Sequence, residues 1–117
     1  MLSEQLRPVD MAHLARYTGG DAALNAEVFG LFVNQATELM NQLESVIRTG
    51  DTKQWRHVTH TVKGAARGIG AFGLADAAAS AEPIDPAIDA ASAAGALRLI
   101  NAQAEAVRLF IDAYLGH

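Results

Sequence analysis

Trp55-Arg56-His57-Val58-Thr59-His60-Thr61-Val62-Lys63-Gly64-Ala65-Ala66-Arg67-Gly68-Ile69 is the stretch on which the reading of this chain turns. Trp55, Val58, Val62, Ala65 and Ile69 step by three and four, the seam of an amphipathic helix. At about 100° per residue, His60 lies roughly 180° from the middle of that seam, so its ring is predicted to face solvent. Arg56, Lys63, Gly64 and Arg67 fall within roughly 60° of His60, with His57 at the edge of the sector. The outward face therefore combines a histidine, three cations and a glycine.

Working outward, the same punctuation marks further helices. Asp51 stands three residues before Gln54, a capping-box-like start for the central helix, and Gly50 stops the helix before it. That preceding helix is predicted from the Asp21 cap, with a stripe of Leu24, Val28, Leu31, Phe32, Leu39, Leu43 and Val46. A short first helix is capped by Asp10 and ends near Gly19-Gly20. Downstream, an Ala-rich helix runs from near Ala71 to Glu82, where Pro83 ends it. Asp85 followed by Pro86 reads as the cap and first position of the last helix. That helix reaches about Leu115, with Leu97, Ile100, Ala104, Val107, Ile111 and Tyr114 on one stripe. No segment reads as a strand. The expected fold is all-α, an antiparallel four-helix bundle with a short additional N-terminal helix, formed by residues 1–117 as a single domain.

Composition narrows the chemistry. Half of the 117 residues are apolar, enough for one core at this length. There is no Cys, which removes disulfides, thiolate catalysis and Cys-based zinc sites. Residues 1–10 carry Glu4 and Arg7 and no apolar core, so no signal peptide is expected. No uncharged apolar run reaches the roughly 18 residues of a membrane span, which makes a cytoplasmic protein the default. The net charge of −4 argues against nucleic acid as a partner. Five of the nine basic residues, Arg48, Lys53, Arg56, Lys63 and Arg67, nevertheless cluster where Asp51 is the only acid. A basic patch on an acidic chain suits an anionic group or an acidic partner surface.

Each member of the outward face has a chemical use. A solvated imidazole is largely neutral at neutral pH and can attack phosphorus without a separate base. Lys63, one turn on, is within reach of a phosphoryl group on His60 and offsets its charge. An interior helical Gly costs about 1 kcal/mol relative to Ala, so Gly64 suits close approach by another protein. Taken singly, such residues describe an ordinary solvated face; it is their conjunction that points to a site.

The run His60-Thr61-Val62-Lys63-Gly64-Ala65-Ala66-Arg67-Gly68-Ile69-Gly70-Ala71 closely resembles the signature of histidine phosphotransfer (HPt) domains. That pattern is His, two residues, Lys, Gly, two small residues, then an aliphatic-Gly pair, supplied here by Ile69-Gly70, with Leu74 at the apolar position that follows. Val9-Asp10, Thr18-Gly19-Gly20-Asp21 and the helix order extend the resemblance over nearly the whole chain. It implies a carrier of phosphoryl groups in a two-component phosphorelay, with response-regulator receiver domains and a hybrid histidine kinase as partners. It further implies that His60 is phosphorylated, that Lys63 stabilises the phosphate and that Gly64 gives clearance for the receiver. Arg67, Arg56 and His57 complete the docking face. Family members commonly carry Gln on the next helix where this chain has Glu82. An acid there cannot donate to phosphate as Gln would, so its role stays open. Any magnesium belongs to the receiver, and the phosphorylated atom is expected to be Nε2, which projects furthest.

Rival readings fall away or remain open. Gly68-Ile69-Gly70-Ala71-Phe72-Gly73 matches the dinucleotide-binding spacing, but that fingerprint works between a strand and a helix, and here a helix precedes it. His57 and His60 have a metal-binding spacing among basic neighbours that disfavour a cation, so no metal or cofactor is expected. His13 and His117 have no partner visible in sequence. No nucleophile–base pair, phosphate loop or carboxylate dyad suggests an enzyme, and no ATP-binding domain fits. The remaining alternative is a non-phosphorylated bundle acting as an adaptor for an acidic surface. A monomer suits either reading.

Overall fold

The computed structural model describes residues 7–116, so the readings of residues 1–6 and of His117 lie outside the described residues. Five helices follow one another: α1 (Met11–Thr18), α2 (Ala22–Thr49), α3 (Thr52–Gly68), α4 (Phe72–Ala81) and α5 (Ala90–Leu115). No strand occurs among the described residues. The helix starts are set by side chains that satisfy otherwise orphaned amides. Asp10 accepts from His13 N–H at 3.1 Å, Asp21 from Leu24 N–H at 2.8 Å and Asp51 from Gln54 N–H at 3.1 Å. Gly19 and Gly50 close α1 and α2 in the left-handed conformation that other residues avoid.

The links from α2 to α3 and from α3 to α4 are only two and three residues long, so successive helices must turn back on one another. Packing closes the ring: α2 lies on α3, α3 on α4, α4 on α5 and α5 on α2, with α1 against α2. The expected bundle with an additional N-terminal helix is the fold observed. Its core holds Phe29, Phe32, Leu39 and Leu43 of α2 and Trp55, Val58 and Val62 of α3. Leu74, Ala75 and Ala78 of α4 and Leu97, Ile100, Val107 and Ile111 of α5 complete it. The buried alanines of α4 leave room for Trp55, whose indole N–H donates to the Ala81 carbonyl at 2.9 Å.

Three expectations are corrected. The last helix starts at Ala90, capped by Asp89, whose side chain accepts from Ser92 N–H at 3.0 Å. Asp85 and Pro86 instead open an isolated turn. The Asp85 carboxylate accepts from Ala87 N–H at 2.9 Å and from the Thr52 hydroxyl of α3 at 2.5 Å, which pins the α4–α5 link to the start of α3. Two Asp residues four apart both suit a cap, and the tertiary bond to Thr52 decides between them.

In α2, Leu24 and Leu31 are exposed, at 39% and 67%, while Phe29 is fully buried. At 100° per residue Leu31 lies roughly 120° from the inner line through Phe32 and Leu43, which a stripe read by eye over 28 residues obscures. In α3, Thr59 and Ala66 are buried and Ala65 only partly so. The Thr59 hydroxyl is satisfied by the Trp55 carbonyl at 2.8 Å, so it enters the core without an unpaired group.

Candidate functional site

The central helix turns its polar face outward as its seam requires. His60 is exposed, its side chain at 66%, while Trp55, Val58 and Val62 on the opposite face are buried. Arg56, His57, Gly64 and Arg67 are also exposed. At Gly64 an added Cβ would meet no heavy atom within 4 Å, so the surface there is open. Lys63 is more enclosed than a solvent-facing reading expects, with its side chain at 19%. The reason is α4: Lys63 lies on the edge of the face that this helix covers, and it finds a partner there.

That partner is Glu82, at the C-terminal cap of α4. One carboxylate oxygen, Oε1, lies 2.8 Å from His60 Nδ1, and the other, Oε2, accepts from Lys63 Nζ at 3.0 Å. A single carboxylate thus bridges the histidine and the lysine. The Lys63 ammonium, followed by the His60 hydrogen bond, holds the Glu82 carboxyl below the usual carboxylate range, against the opposing effect of desolvation. An ionised carboxylate only accepts, so Nδ1 must carry the ring proton. The lone pair is then on Nε2, the ring nitrogen remote from Glu82 (the tautomer is inferred from this bond).

The position of Glu82 has a structural cause. Trp55 binds the carbonyl of Ala81, the residue just before it, and Glu82 N–H donates to the Ala78 carbonyl at 3.1 Å. The end of α4 is therefore fixed against α3 about one turn before His60. Pro83 follows, and the chain leaves the helix with Glu82 facing the pair.

Beside His60 is an open hollow lined by Thr52, Lys53, Arg56, His57, His60 and Glu82. Of these, Thr52 is not singled out by the sequence, and Lys53 is counted there only in the basic patch and not on the face of His60. Lys53 lies about 20° from His60 on the α3 wheel, two turns earlier, and that spacing was the available signal. Arg67 does not line this hollow and extends the basic face toward the other end of α3. A more enclosed hollow between α2 and α5, lined in part by Phe32, Met40, Ala104 and Arg108, contains no histidine. The first is the hollow that holds a candidate nucleophile, His60.

Gly70 of the glycine run sits in the α3–α4 turn with φ of 81°, and its carbonyl accepts from Asp10 N–H at 2.9 Å. The run is helix punctuation and an anchor for α1. Among the described residues no three His, Asp or Glu side chains converge as metal ligands, and no helix is long and apolar enough to cross a membrane. His13, for which sequence suggested no partner, packs edge-on against Tyr17 and Phe72, with ring centroids 5.5 and 5.0 Å apart.

Neither curated proteins nor solved structures gave a match to the chain. The family model of the Hpt domain matches residues 27–114, from the first turns of α2 almost to the end of α5. The match contains the whole constellation of His60, Lys63, Gly64 and Glu82, and with it the chain belongs to the histidine phosphotransfer (Hpt) domain family.

Proposed function

We propose that this protein is a phosphoryl carrier of a multistep two-component phosphorelay. It accepts a phosphoryl group on His60 Nε2 from the aspartate of one receiver domain and passes it to another. Hpt domains carry phosphoryl groups and have no kinase activity of their own. The observation that carries the assignment to His60 is the tie between its Nδ1 and Glu82, which leaves Nε2 bearing the lone pair on an exposed ring.

Phosphoryl transfer passes through a loose, in-line transition state, so positioning and charge stabilisation supply most of the catalysis. His60 meets both needs. Its ring is held at one nitrogen, so the other is aimed at the incoming phosphorus. In the forward step the Nε2 lone pair forms the N–P bond, the O–P bond of the aspartyl phosphate breaks, and the pair departs on the aspartate carboxylate. Lys63 lies one turn from His60, and its ammonium, held on Glu82 at 3.0 Å, offsets the charge of the phosphoryl oxygens from there. The open surface at Gly64 admits the receiver, and Arg56, His57 and Arg67 meet its acidic rim.

The partners are then response-regulator receiver domains and a hybrid histidine kinase, met in the cytoplasm by a monomer. Residues 1–117 act as one such domain, α1 included. The test is a transfer reaction with a phosphorylated receiver domain. The parent is expected to gain acid-labile phosphate and His60→Gln to gain none. Undiminished labelling of His60→Gln contradicts the assignment of the acceptor, and an unlabelled parent favours the adaptor reading.

A further inference from the structure

An acid beside a phosphate-bearing atom is at first sight a defect, because like charges repel. The geometry of Glu82 gives it a use. Its Oε1 receives the Nδ1 proton of His60 at 2.8 Å, while Oε2 is neutralised by Lys63 at 3.0 Å. When Nε2 gives its lone pair to phosphorus and Nδ1 keeps its proton, the ring becomes a cation. Two fates are then open. If Nδ1 retains the proton, breaking the N–P bond returns the electron pair to Nε2 and releases a neutral imidazole. If the proton is lost to water, the same bond must release an imidazolate, a far poorer leaving group.

We propose that Glu82 is a positioning residue that retains the Nδ1 proton on phosphorylated His60, keeping the carried phosphoryl group ready for transfer above neutral pH. This rests on the phosphoryl-carrier reading given above. A carboxylate adjoining a cationic ring favours the protonated form of that ring by direct attraction. A carboxylate is by its nature a weaker base than an imidazole nitrogen, so the proton stays on the ring, and the bond from Lys63 to the other oxygen lowers the Glu82 carboxyl further in the same sense. The other charged and titratable groups around the pair are Lys53, Arg56 and His57, which line the hollow on α3, and Asp85 of the α4–α5 link, whose carboxylate is occupied by Thr52. None of these makes a hydrogen bond to His60 Nδ1, so Glu82 is the group whose removal moves the proton.

The experiment uses water as the phosphoryl acceptor, which avoids any partner's own pH dependence. Parent and Glu82→Gln protein are phosphorylated with phosphoramidate, and loss of the phosphohistidine signal is followed by ³¹P NMR from pH 6 to pH 10. Water oxygen attacks phosphorus, the N–P bond breaks and its electron pair returns to Nε2, so the rate reports the leaving group. The rate is expected to fall on an alkaline limb as Nδ1 loses its proton. That limb should lie about one pH unit lower in Glu82→Gln, making the variant about tenfold slower at the alkaline end. Ring ¹⁵N shifts of the phosphorylated proteins should show Nδ1 deprotonating over the same range. Coincident limbs, or a uniform rate change with no movement of the limb, overturn the role of Glu82. A parent in which phosphoramidate labels no residue at position 60 overturns the carrier reading instead.

Discussion

The indole N–H of Trp55 donates to the carbonyl of Ala81 at 2.9 Å, inside the core, and the next residue after Ala81 is Glu82. A buried bond thus ties α3 to α4 next to the residue that meets His60 and Lys63. Trp55 is fully buried and lies five residues before His60 on the same helix. A slide of α4 by one residue along α3 would move Glu82 about 1.5 Å, enough to break a hydrogen bond of 2.8 Å to His60.

Trp55→Phe tests that coupling. It removes the donor and part of the packed volume while Ala81 keeps its bond from Ile84 N–H at 3.1 Å. A loss of about 1–3 kcal/mol in unfolding free energy is expected from chemical denaturation. The His60 ring should also lose its preference for one tautomer, visible in its ¹⁵N shifts. An unchanged tautomer would show that α4 is held in register by other contacts.

Gly70→Ala addresses the attachment of α1. The residue has φ of 81°, and a Cβ there would come to 2.7 Å from the Asp10 carbonyl oxygen, a backbone atom that cannot simply rotate away. The left-handed backbone alone costs an alanine about 1–2 kcal/mol, and the clash adds to it. A total near 2–4 kcal/mol is expected in thermal or denaturant unfolding. A change below about 0.5 kcal/mol, the range of a neutral surface substitution, would contradict the tight packing of this turn.

Gly64→Gln separates stability from docking. An added Cβ meets nothing, so the helix should gain up to about 1 kcal/mol from the better helix former. Receiver binding should nevertheless weaken by at least about tenfold, because the new side chain occupies the approach to His60. Calorimetric titration with a receiver domain measures it, and equal affinity for variant and parent would contradict close approach at this position.

These three positions also show how far the sequence could be read. The seam of α3 predicted the exposure of His60 because a regular period over fifteen residues leaves little freedom in rotation. The caps at Asp10, Asp21 and Asp51 were legible because each satisfies amides within its own turn. What escaped were relationships across long sequence separations. Thr52 choosing Asp85 spans 33 residues, and Glu82, which only the family resemblance had brought near His60, bridges His60 and Lys63 across 22 and 19. No local pattern encodes them, since they arise only once Trp55 has fixed α4 on α3. The enclosure of Lys63 has the same origin: a helical wheel gives direction but not which neighbour stands there.

The bridge should also be visible in the pH dependence of stability. The Glu82 carboxyl is depressed, chiefly by Lys63, so its contribution is present above the ordinary glutamate range near pH ~4.3 and is lost as pH falls through its lower folded value. In that window the unfolded chain binds more protons than the folded one, and stability rises with pH. The difference in melting temperature between parent and Glu82→Gln should therefore shrink on acidification below about pH 4. A difference that persists unchanged would place the effect of the substitution elsewhere than in the ion pair.

The most direct test of the site is the position of the phosphoryl group on the ring. Protein labelled by a phosphorylated receiver domain, with ¹⁵N in its histidines, is examined by ³¹P–¹⁵N correlation. A single coupled nitrogen is expected, Nε2 of His60, with Nδ1 still bearing its proton. Coupling to Nδ1, or to either nitrogen of His57 or His13, would contradict it.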